Sequence, residues 1–141
     1  MSTQTSAPTI SRSRSDGTRR VQQIEGGLIV VLSITATIVM APSLWWVPLA
    51  TFLLFDLSML GYLRSPAAGA VGYNAVHTYA WPAALGAVAL AATLFSPELA
   101  TWSGIIAAAW AFHVGVDRML GYGLKLPDAF AHTHMGRIGR E

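Results

Sequence analysis

The sequence predicts an all-α integral membrane protein built as an up-down bundle of four helices. Of its 141 residues, 53% are hydrophobic and only 11% are charged, a balance typical of membrane proteins. Four apolar runs follow one another, each near the roughly 20 residues that cross a bilayer as a helix. The breaks between them are short, so consecutive helices must be antiparallel neighbours. A soluble bundle needs a polar face on every helix, and residues 28–40 and 83–95 offer none.

The first element is a polar stretch over residues 1–22, rich in Ser, Thr and Arg and poor in large apolar side chains. Such a segment buries too little apolar surface to offset the entropy of ordering, so we predict a disordered cytoplasmic tail. The apolar run after Arg19 and Arg20 is not closed by a small-residue cleavage pattern and is long enough to span, which favours a retained helix over a signal peptide. Residues 23–124 then form the predicted transmembrane domain, and residues 125–141 a C-terminal cytoplasmic tail.

The four predicted helices cover residues 24–40, 44–63, 68–95 and 99–122. Each break between them, at 42–43, 64–66 and 96–98, contains a proline, which lacks the N–H that a helix interior requires. Inside the third helix, Pro82 cannot donate to the carbonyl of Thr78, so we expect a kink beside His77. The freed carbonyl needs a donor or a water, which predicts a hydrated region there.

The basic residues set the orientation. All nine lie at or beyond one set of helix ends: Arg12, Arg14, Arg19, Arg20, Arg64, Arg118, Lys125, Arg137 and Arg140. By the positive-inside tendency we expect an inner-membrane protein, surrounded by membrane lipids, with both termini in the cytoplasm. Because these residues flank apolar runs and form no patch interleaved with aromatic side chains, the sequence predicts no nucleic-acid binding despite a pI near 9.4. The lack of cysteine excludes a thiolate metal site.

Two aspartates, Asp56 and Asp117, interrupt apolar runs, and each stands just before a copy of the tetrapeptide Met-Leu-Gly-Tyr, at 59–62 and 119–122. A carboxylate at the centre of a membrane helix costs roughly 2.5–3.5 kcal/mol, so a matched pair indicates a function or a shared partner. At a rise of 1.5 Å per residue both aspartates lie about 12 Å from the cytoplasmic helix ends, with His77 about 15 Å and His113 about 18 Å deep. The four side chains therefore share one slab of the bundle.

Two imidazoles and two carboxylates at one depth predict a metal site made by Asp56, His77, His113 and Asp117. His113 and Asp117 stand at i and i+4 on one helix face, so they can bind one ion together. This mixed nitrogen and oxygen set suits zinc, manganese or iron(II). A zinc-bound water could then serve hydrolysis, with a spare aspartate, Asp56 or Asp117, as the catalytic base.

Other polar side chains extend this candidate site. Tyr73 and Asn74 stand four and three residues before His77 on its helix face, where they could orient a bound cofactor. His132 and His134 in the C-terminal tail could add ligands, but an exposed pair of this kind is more often only solvated.

Three other interpretations stay open beside a metal-dependent hydrolase acting on an amphiphilic or lipid-like substrate. The aspartates could pair across the bundle with Arg, His and Tyr in a purely structural network. His77 and His113 could be the axial ligands of a bis-histidine haem, although haem gives the two aspartates no role. The aspartates could also serve a proton- or cation-coupled carrier, in which four helices would have to form a homodimer to enclose a path.

Four blocks of the sequence resemble the motifs of a known family: DLSMLGY at 56–62, YNAVHTY at 73–79, HVGVDRMLGYGLK at 113–125 and THMG at 133–136. Over about residues 24–137 they are similar, in motif and order, to a bacterial family of small four-helix membrane proteins known as domain of unknown function 4260. That resemblance implies a fold and no activity. More distantly, the order Asp, His-Thr and His-x-x-x-Asp is similar to that of inner-membrane metal-dependent hydrolases, which implies Asp56, His77, His113 and Asp117 as metal ligands.

Overall fold

The computed structural model describes residues 10–139 of the chain, with side chains from residue 17 onward. Among these residues, four helical segments are long and apolar enough to cross a membrane: Gly17–Met40, Pro42–Leu63, Pro66–Ala92 and Pro97–Leu120. The predicted all-α membrane bundle is confirmed. Each of the last three segments begins at the proline that the sequence analysis placed in a break, because a proline at the first helical turn has no N–H left unsatisfied.

Helix α1 (Ile10–Met40) contains the first segment and begins inside the stretch predicted to be disordered. Residues 1–9 of that stretch lie outside the described residues. From Ile10 onward the chain has no proline before Pro42, so no residue prevents the helix from continuing on the N-terminal side of the apolar run.

The second segment departs from the continuous helix predicted over 44–63. It consists of a 3₁₀ turn (Pro42–Leu44), helix α2 (Val47–Ala50), helix α3 (Phe52–Asp56) and a 3₁₀ segment (Leu57–Leu63). A 3₁₀ helix rises about 2.0 Å per residue, so the eight residues from Asp56 to Arg64 span about 16 Å instead of about 12 Å. Asp56 therefore lies deeper than the sequence estimate, at nearly the depth of the two histidines.

The 3₁₀ segment lies backbone to backbone against helix α4 (Pro66–Val76). A Cβ atom on Gly61 would come 2.7 Å from the carbonyl oxygen of Ala68, and one on Gly72 would come 2.7 Å from that of Ser58. These two glycines allow a contact that any larger side chain would block, which is the usual role of small residues between membrane helices.

The third segment is broken at the predicted place, between α4 and helix α5 (Ala80–Ala92). His77 ends α4 with a φ of −90° and a ψ of 36°, outside the helical range. The carbonyls left open by the break are capped by side chains: Ala75 accepts from the indole of Trp81 at 2.8 Å and Val76 from that of Trp110 at 2.8 Å. These protein donors satisfy carbonyls that would be costly to leave open in a membrane.

Helix α6 (Pro97–Leu120) is the centre of the bundle, with α1 and α5 against it on two sides and α2 and α3 against it further along. Its N-terminus is capped by the Ser96 hydroxyl, which accepts from the backbone N–H of Leu99. It ends at Gly121, whose φ of +88° suits glycine. At its crossing with α1, a Cβ atom on Gly26 would come 2.7 Å from the carbonyl oxygen of Gly115.

The C-terminal residues form a small folded unit under the bundle. Strands β1 (His132–Thr133) and β2 (Gly136–Arg137) pair in an antiparallel hairpin, and Lys125 forms a bridge with Thr133. The side chain of Asn74 on α4 fixes this unit, because it donates to the Lys125 carbonyl at 2.9 Å and accepts from the Lys125 N–H at 2.7 Å.

Candidate metal centre

Three of the four predicted metal ligands meet inside the bundle. One ligand atom each from Asp56, His77 and His113 lies within 4.8 Å of the other two. Asp56 is the last residue of α3, His77 is the residue at the break after α4, and His113 lies on α6. Both histidines are 0% exposed, whereas the side chain of Asp56 is 32% exposed. The set is therefore buried on the histidine side and open on the aspartate side.

The distances within this set suit a small metal ion. Nε2 of His77 is 2.9 Å from Nε2 of His113, and Oδ1 of Asp56 is 3.5 Å from the first and 3.7 Å from the second. A tetrahedral zinc with bonds of about 2.0–2.1 Å holds its ligand atoms about 3.3 Å apart. The observed spacings lie on both sides of that value, so the three atoms fit three corners of such a site.

The His77 ring is held with Nε2 directed at this set. Its Nδ1 lies 2.9 Å from the carbonyl oxygen of Tyr73, and since a carbonyl only accepts, we assign the proton to Nδ1. The Tyr73 ring stacks on the imidazole at 3.6 Å between centroids and 12° between planes. Nε2 therefore carries the free lone pair, and the backbone carbonyl supplies the second hydrogen bond that metal-bound histidines usually make.

His113 is held by apolar rings. Phe52 lies 4.6 Å and Phe55 lies 5.2 Å from its ring centroid, and the stack of Phe55 on Trp110 at 5.4 Å supports this wall. Within the described residues, Nδ1 of His113 is buried without a hydrogen-bond partner. His113 therefore lacks the second hydrogen bond that His77 has, and the Nδ1 side of its ring is held by packing alone.

Asp117 lies beside the set of three and not within it. Its Oδ2 is 3.5 Å from Nε2 of His77 and accepts a 2.5 Å hydrogen bond from the hydroxyl of Tyr73. The sequence analysis expected His113 and Asp117 to share one ion across a helical turn. In the structure it is Asp56, from another helix, that approaches both histidines, while Asp117 is held by Tyr73.

Of the other predicted site residues, only Tyr73 contacts the site, while Asn74, His132 and His134 have partners elsewhere among the described residues. Tyr73 contacts both His77 and Asp117, as described above. Both polar atoms of the Asn74 side chain are bonded to the backbone of Lys125. In the tail, His132 pairs with Asp128 at 2.6 Å and His134 accepts from the N–H of Leu124 at 2.8 Å, so neither belongs to the set of three.

Two buried cations beside the set were not identified by the sequence analysis, which used them only to orient the chain. Arg118 is 8% exposed and donates to the carbonyls of His77 at 3.0 Å and Tyr122 at 2.8 Å. Lys125 is 4% exposed. The signal available in the sequence was the position of Arg118 directly after a membrane aspartate, and the aromatic residues on both sides of Lys125.

The Lys125 ammonium lies among three aromatic rings, 3.8 Å from the centroid of Phe130, 5.0 Å from that of Tyr73 and 5.9 Å from that of Tyr122. Burial lowers the pKa of Lys125, while the charges of Asp117 and Asp56 act in the opposite direction. Cation–π contacts of this kind favour the charged form. The two carboxylates are thus within electrostatic reach of this ammonium.

Comparison with known proteins gives a family and no activity. No curated protein and no solved structure matches the chain. A family model described as a domain of unknown function matches residues 19–138, a range that contains the first membrane segment from residue 19 onward, the other three in full and the C-terminal hairpin. The chain is therefore a multi-pass membrane protein that belongs to the DUF4260 family.

Proposed function

We propose that this protein is a membrane enzyme that hydrolyses an amphiphilic, lipid-like substrate at a divalent metal ion held by Asp56, His77 and His113. The observation that carries the proposal is the convergence of three ligand atoms from three separate elements at spacings of 2.9, 3.5 and 3.7 Å. Depth matching in the sequence pointed to these three residues together with Asp117. Buried ionisable side chains that meet in a membrane bundle are functional by default.

The ligand set suits a catalytic ion better than a structural one. Two histidines and one carboxylate leave a coordination position open, as in catalytic zinc sites and in iron(II) sites with the same ligands; manganese is a third candidate. Such an ion would lower the pKa of a bound water towards neutrality. The partly exposed side of Asp56 is the direction from which water and substrate would approach.

Asp117 is placed to act as a base. It lies next to the set, 3.5 Å from His77, and leaves the ion to the other three side chains. Tyr73 donates a hydrogen bond to the carboxylate and so fixes its orientation. A carboxylate held in this way can take a proton from a water molecule bound beside His77.

A cleft between α1, α5 and α6 supports an amphiphilic substrate. Its volume is about 670 Å³, and its lining is mostly alanine, glycine and aliphatic side chains. The lining includes Tyr79 and Ala111, each two residues from a histidine of the set. An apolar cleft within the membrane segments suits the alkyl chain of such a molecule.

The same geometry favours a small ion over haem. A bis-histidine haem has the macrocycle and its iron between the two imidazoles. Here the two Nε2 atoms are in direct contact at 2.9 Å, which leaves no gap for the macrocycle. A structural network is the stronger competitor, because one histidine could donate to the other across this distance.

Metal analysis of the purified protein tests the proposal. We expect up to one equivalent of zinc, iron or manganese in the wild type and a loss of most of it in His77→Ala and His113→Ala, because each variant removes a ligand. His134→Ala, which removes a histidine of the tail, is the matched control and should keep the metal. Asp117→Asn should keep the metal and lose hydrolysis of a chromogenic ester with an alkyl chain. Metal content that is absent from the wild type, or equal in all variants, would overturn the proposal.

A further inference from the structure

Lys125 is a buried residue whose ammonium has no anion among the described residues within ion-pair distance. The residue is 4% exposed, and within the described residues no carboxylate lies within ion-pair distance of it. Its neighbours are the rings of Phe130, Tyr73 and Tyr122. A buried charge is costly unless it is paired or hydrogen-bonded, and cation–π contacts compensate only part of that cost. The three N–H donors of the ammonium are thus available to an anion.

The charges around the candidate metal centre also call for an anion. Two carboxylates, Asp56 and Asp117, and two buried cations, Arg118 and Lys125, lie around it, so without an ion their charges cancel. A divalent ion leaves two positive charges in excess. Within a membrane bundle this excess strongly favours a ligand that carries about two negative charges.

Arg118 already has protein partners, because its guanidinium donates to the carbonyls of His77 and Tyr122. The bond to His77 caps the backbone break beside the set. Lys125 is different, since its backbone is fixed by Asn74 while the contacts of its ammonium within the described part of the chain are with aromatic rings. Tyr73 connects the candidate metal centre with Lys125, because its ring contacts both the His77 ring and the Lys125 ammonium.

From this arrangement we infer that Lys125, with its ring contacts Tyr73, Tyr122 and Phe130, forms an anion subsite beside the metal centre that binds the phosphate group of a phosphomonoester. This inference rests on the proposed function and specifies its substrate class. A phosphomonoester carries about 1.5 to 2 negative charges at pH 7, close to the excess of two. Its several oxygens let it accept from the ammonium and still reach towards the ion.

The chemistry is shared by a lipid phosphate and by free inorganic phosphate, and the test separates them. Full-length protein in neutral lipid nanodiscs, loaded with zinc, is titrated calorimetrically with inorganic phosphate and with dodecyl phosphate, and empty nanodiscs give the blank. We expect saturable binding of both anions. Tighter binding of dodecyl phosphate assigns the subsite to a lipid head, and equal binding assigns it to free phosphate.

Lys125→Met removes the charge and keeps an apolar side chain of similar length among the rings. We expect it to weaken phosphate binding about tenfold or more, as for the loss of one charge-assisted hydrogen bond. Lys125→Arg keeps the charge and should restore part of the affinity. Arg64→Met, at an exposed position, removes the same unit of charge at a distance from the site and should bind like the wild type.

Metal content measured in each sample keeps the two proposals apart. A wild type without metal overturns the proposed function. A metal-loaded wild type whose phosphate affinity is unchanged in Lys125→Met, or weakened equally in Arg64→Met, overturns the subsite alone. If Lys125→Met does not fold, Lys125→Gln, which also removes the charge, takes its place. A metal-loaded wild type that gives no phosphate-dependent heat refutes the subsite.

Discussion

Replacing each aspartate by asparagine, with and without a chelator, separates a metal centre from a structural network and tests which aspartate is a ligand. Asparagine keeps the size and hydrogen-bonding capacity of the side chain and removes the charge. In the structure, Oδ1 of Asp56 lies 3.5 Å from Nε2 of His77 and 3.7 Å from Nε2 of His113. Asp117 lies beside His77 and accepts a hydrogen bond from the Tyr73 hydroxyl. We therefore expect only Asp56→Asn to abolish the response of the protein to a chelator.

The magnitudes follow from these contacts. An ion present at 100 times its dissociation constant stabilises the folded state by about 2.7 kcal/mol, so a chelator should lower the melting temperature of the wild type by several degrees, at about 3 °C per kcal/mol for a chain of this size. Asp56→Asn should melt at the temperature of the chelated wild type in both conditions. In Asp117→Asn the bond from Tyr73 becomes neutral and loses about 1 kcal/mol, with the chelator response intact.

The assay is thermal unfolding in detergent, followed by circular dichroism, for three proteins with and without chelator. The metal centre would be refuted if the chelator leaves the melting temperature of the wild type unchanged and both asparagine variants melt at or above that temperature. The only effect of the substitutions would then be the removal of a buried charge. Loss of the chelator response in Asp117→Asn would instead add Asp117 to the ligands and remove it as the base.

Three further predictions concern the bundle, the tail and the orientation. Gly26→Ala should lower the melting temperature relative to its control Gly27→Ala, by the equivalent of about 1–3 kcal/mol of overpacking. A Cβ atom at Gly26 would come 2.7 Å from backbone atoms, whereas the nearest atom to one at Gly27 is 3.6 Å away. Equal melting temperatures of the two variants would contradict the close crossing of α1 and α6. Burial, and then the charge of Arg118, lower the pKa of His134 from its ordinary 6.5. As the pH falls below about 6.5, the unfolded tail therefore takes up a proton before the folded tail does, and the folded tail loses stability. The hydrogen-exchange protection factor of the Leu124 amide, which donates to His134, should fall with the pH, and a pH-independent protection factor would refute the contact. A reporter fused to the C-terminus should be active in the cytoplasm, and activity confined to the periplasm would reverse the proposed orientation.

Depth along the membrane could be predicted from the sequence, and rotation about the helix axis could not. Counting residues from the helix ends placed His77 and His113 in one slab, and the structure shows their Nε2 atoms 2.9 Å apart. The same count also predicted Asp117 as a ligand. The i and i+4 spacing places Asp117 and His113 on one helix face, but it does not determine the direction in which the carboxylate points. That direction is fixed by the Tyr73 hydroxyl on another helix, a contact between residues 44 positions apart.

Backbone irregularity explains most of the other differences. The sequence pattern predicted one helix over 44–63, because hydropathy identifies a span without distinguishing α from 3₁₀ geometry. The prolines and the close glycine contacts with α4 produce the shorter elements seen in the structure. The sequence analysis used Lys125 only as a basic residue that sets the orientation, because its ring contacts depend on the C-terminal hairpin, which periodicity does not predict.

The break at His77 connects the fold to the proposed chemistry. An uninterrupted helix would bond the carbonyls of Ala75 and Val76 internally, whereas this chain caps them with Trp81 and Trp110, and caps that of His77 with Arg118. Each of the three carbonyls thus has one side-chain donor, as a break within a membrane helix requires. The caps fix His77 beside His113, and they place the Arg118 charge next to the site. The residues that make the break tolerable in a bilayer are therefore also those that set the position and charge of the candidate centre.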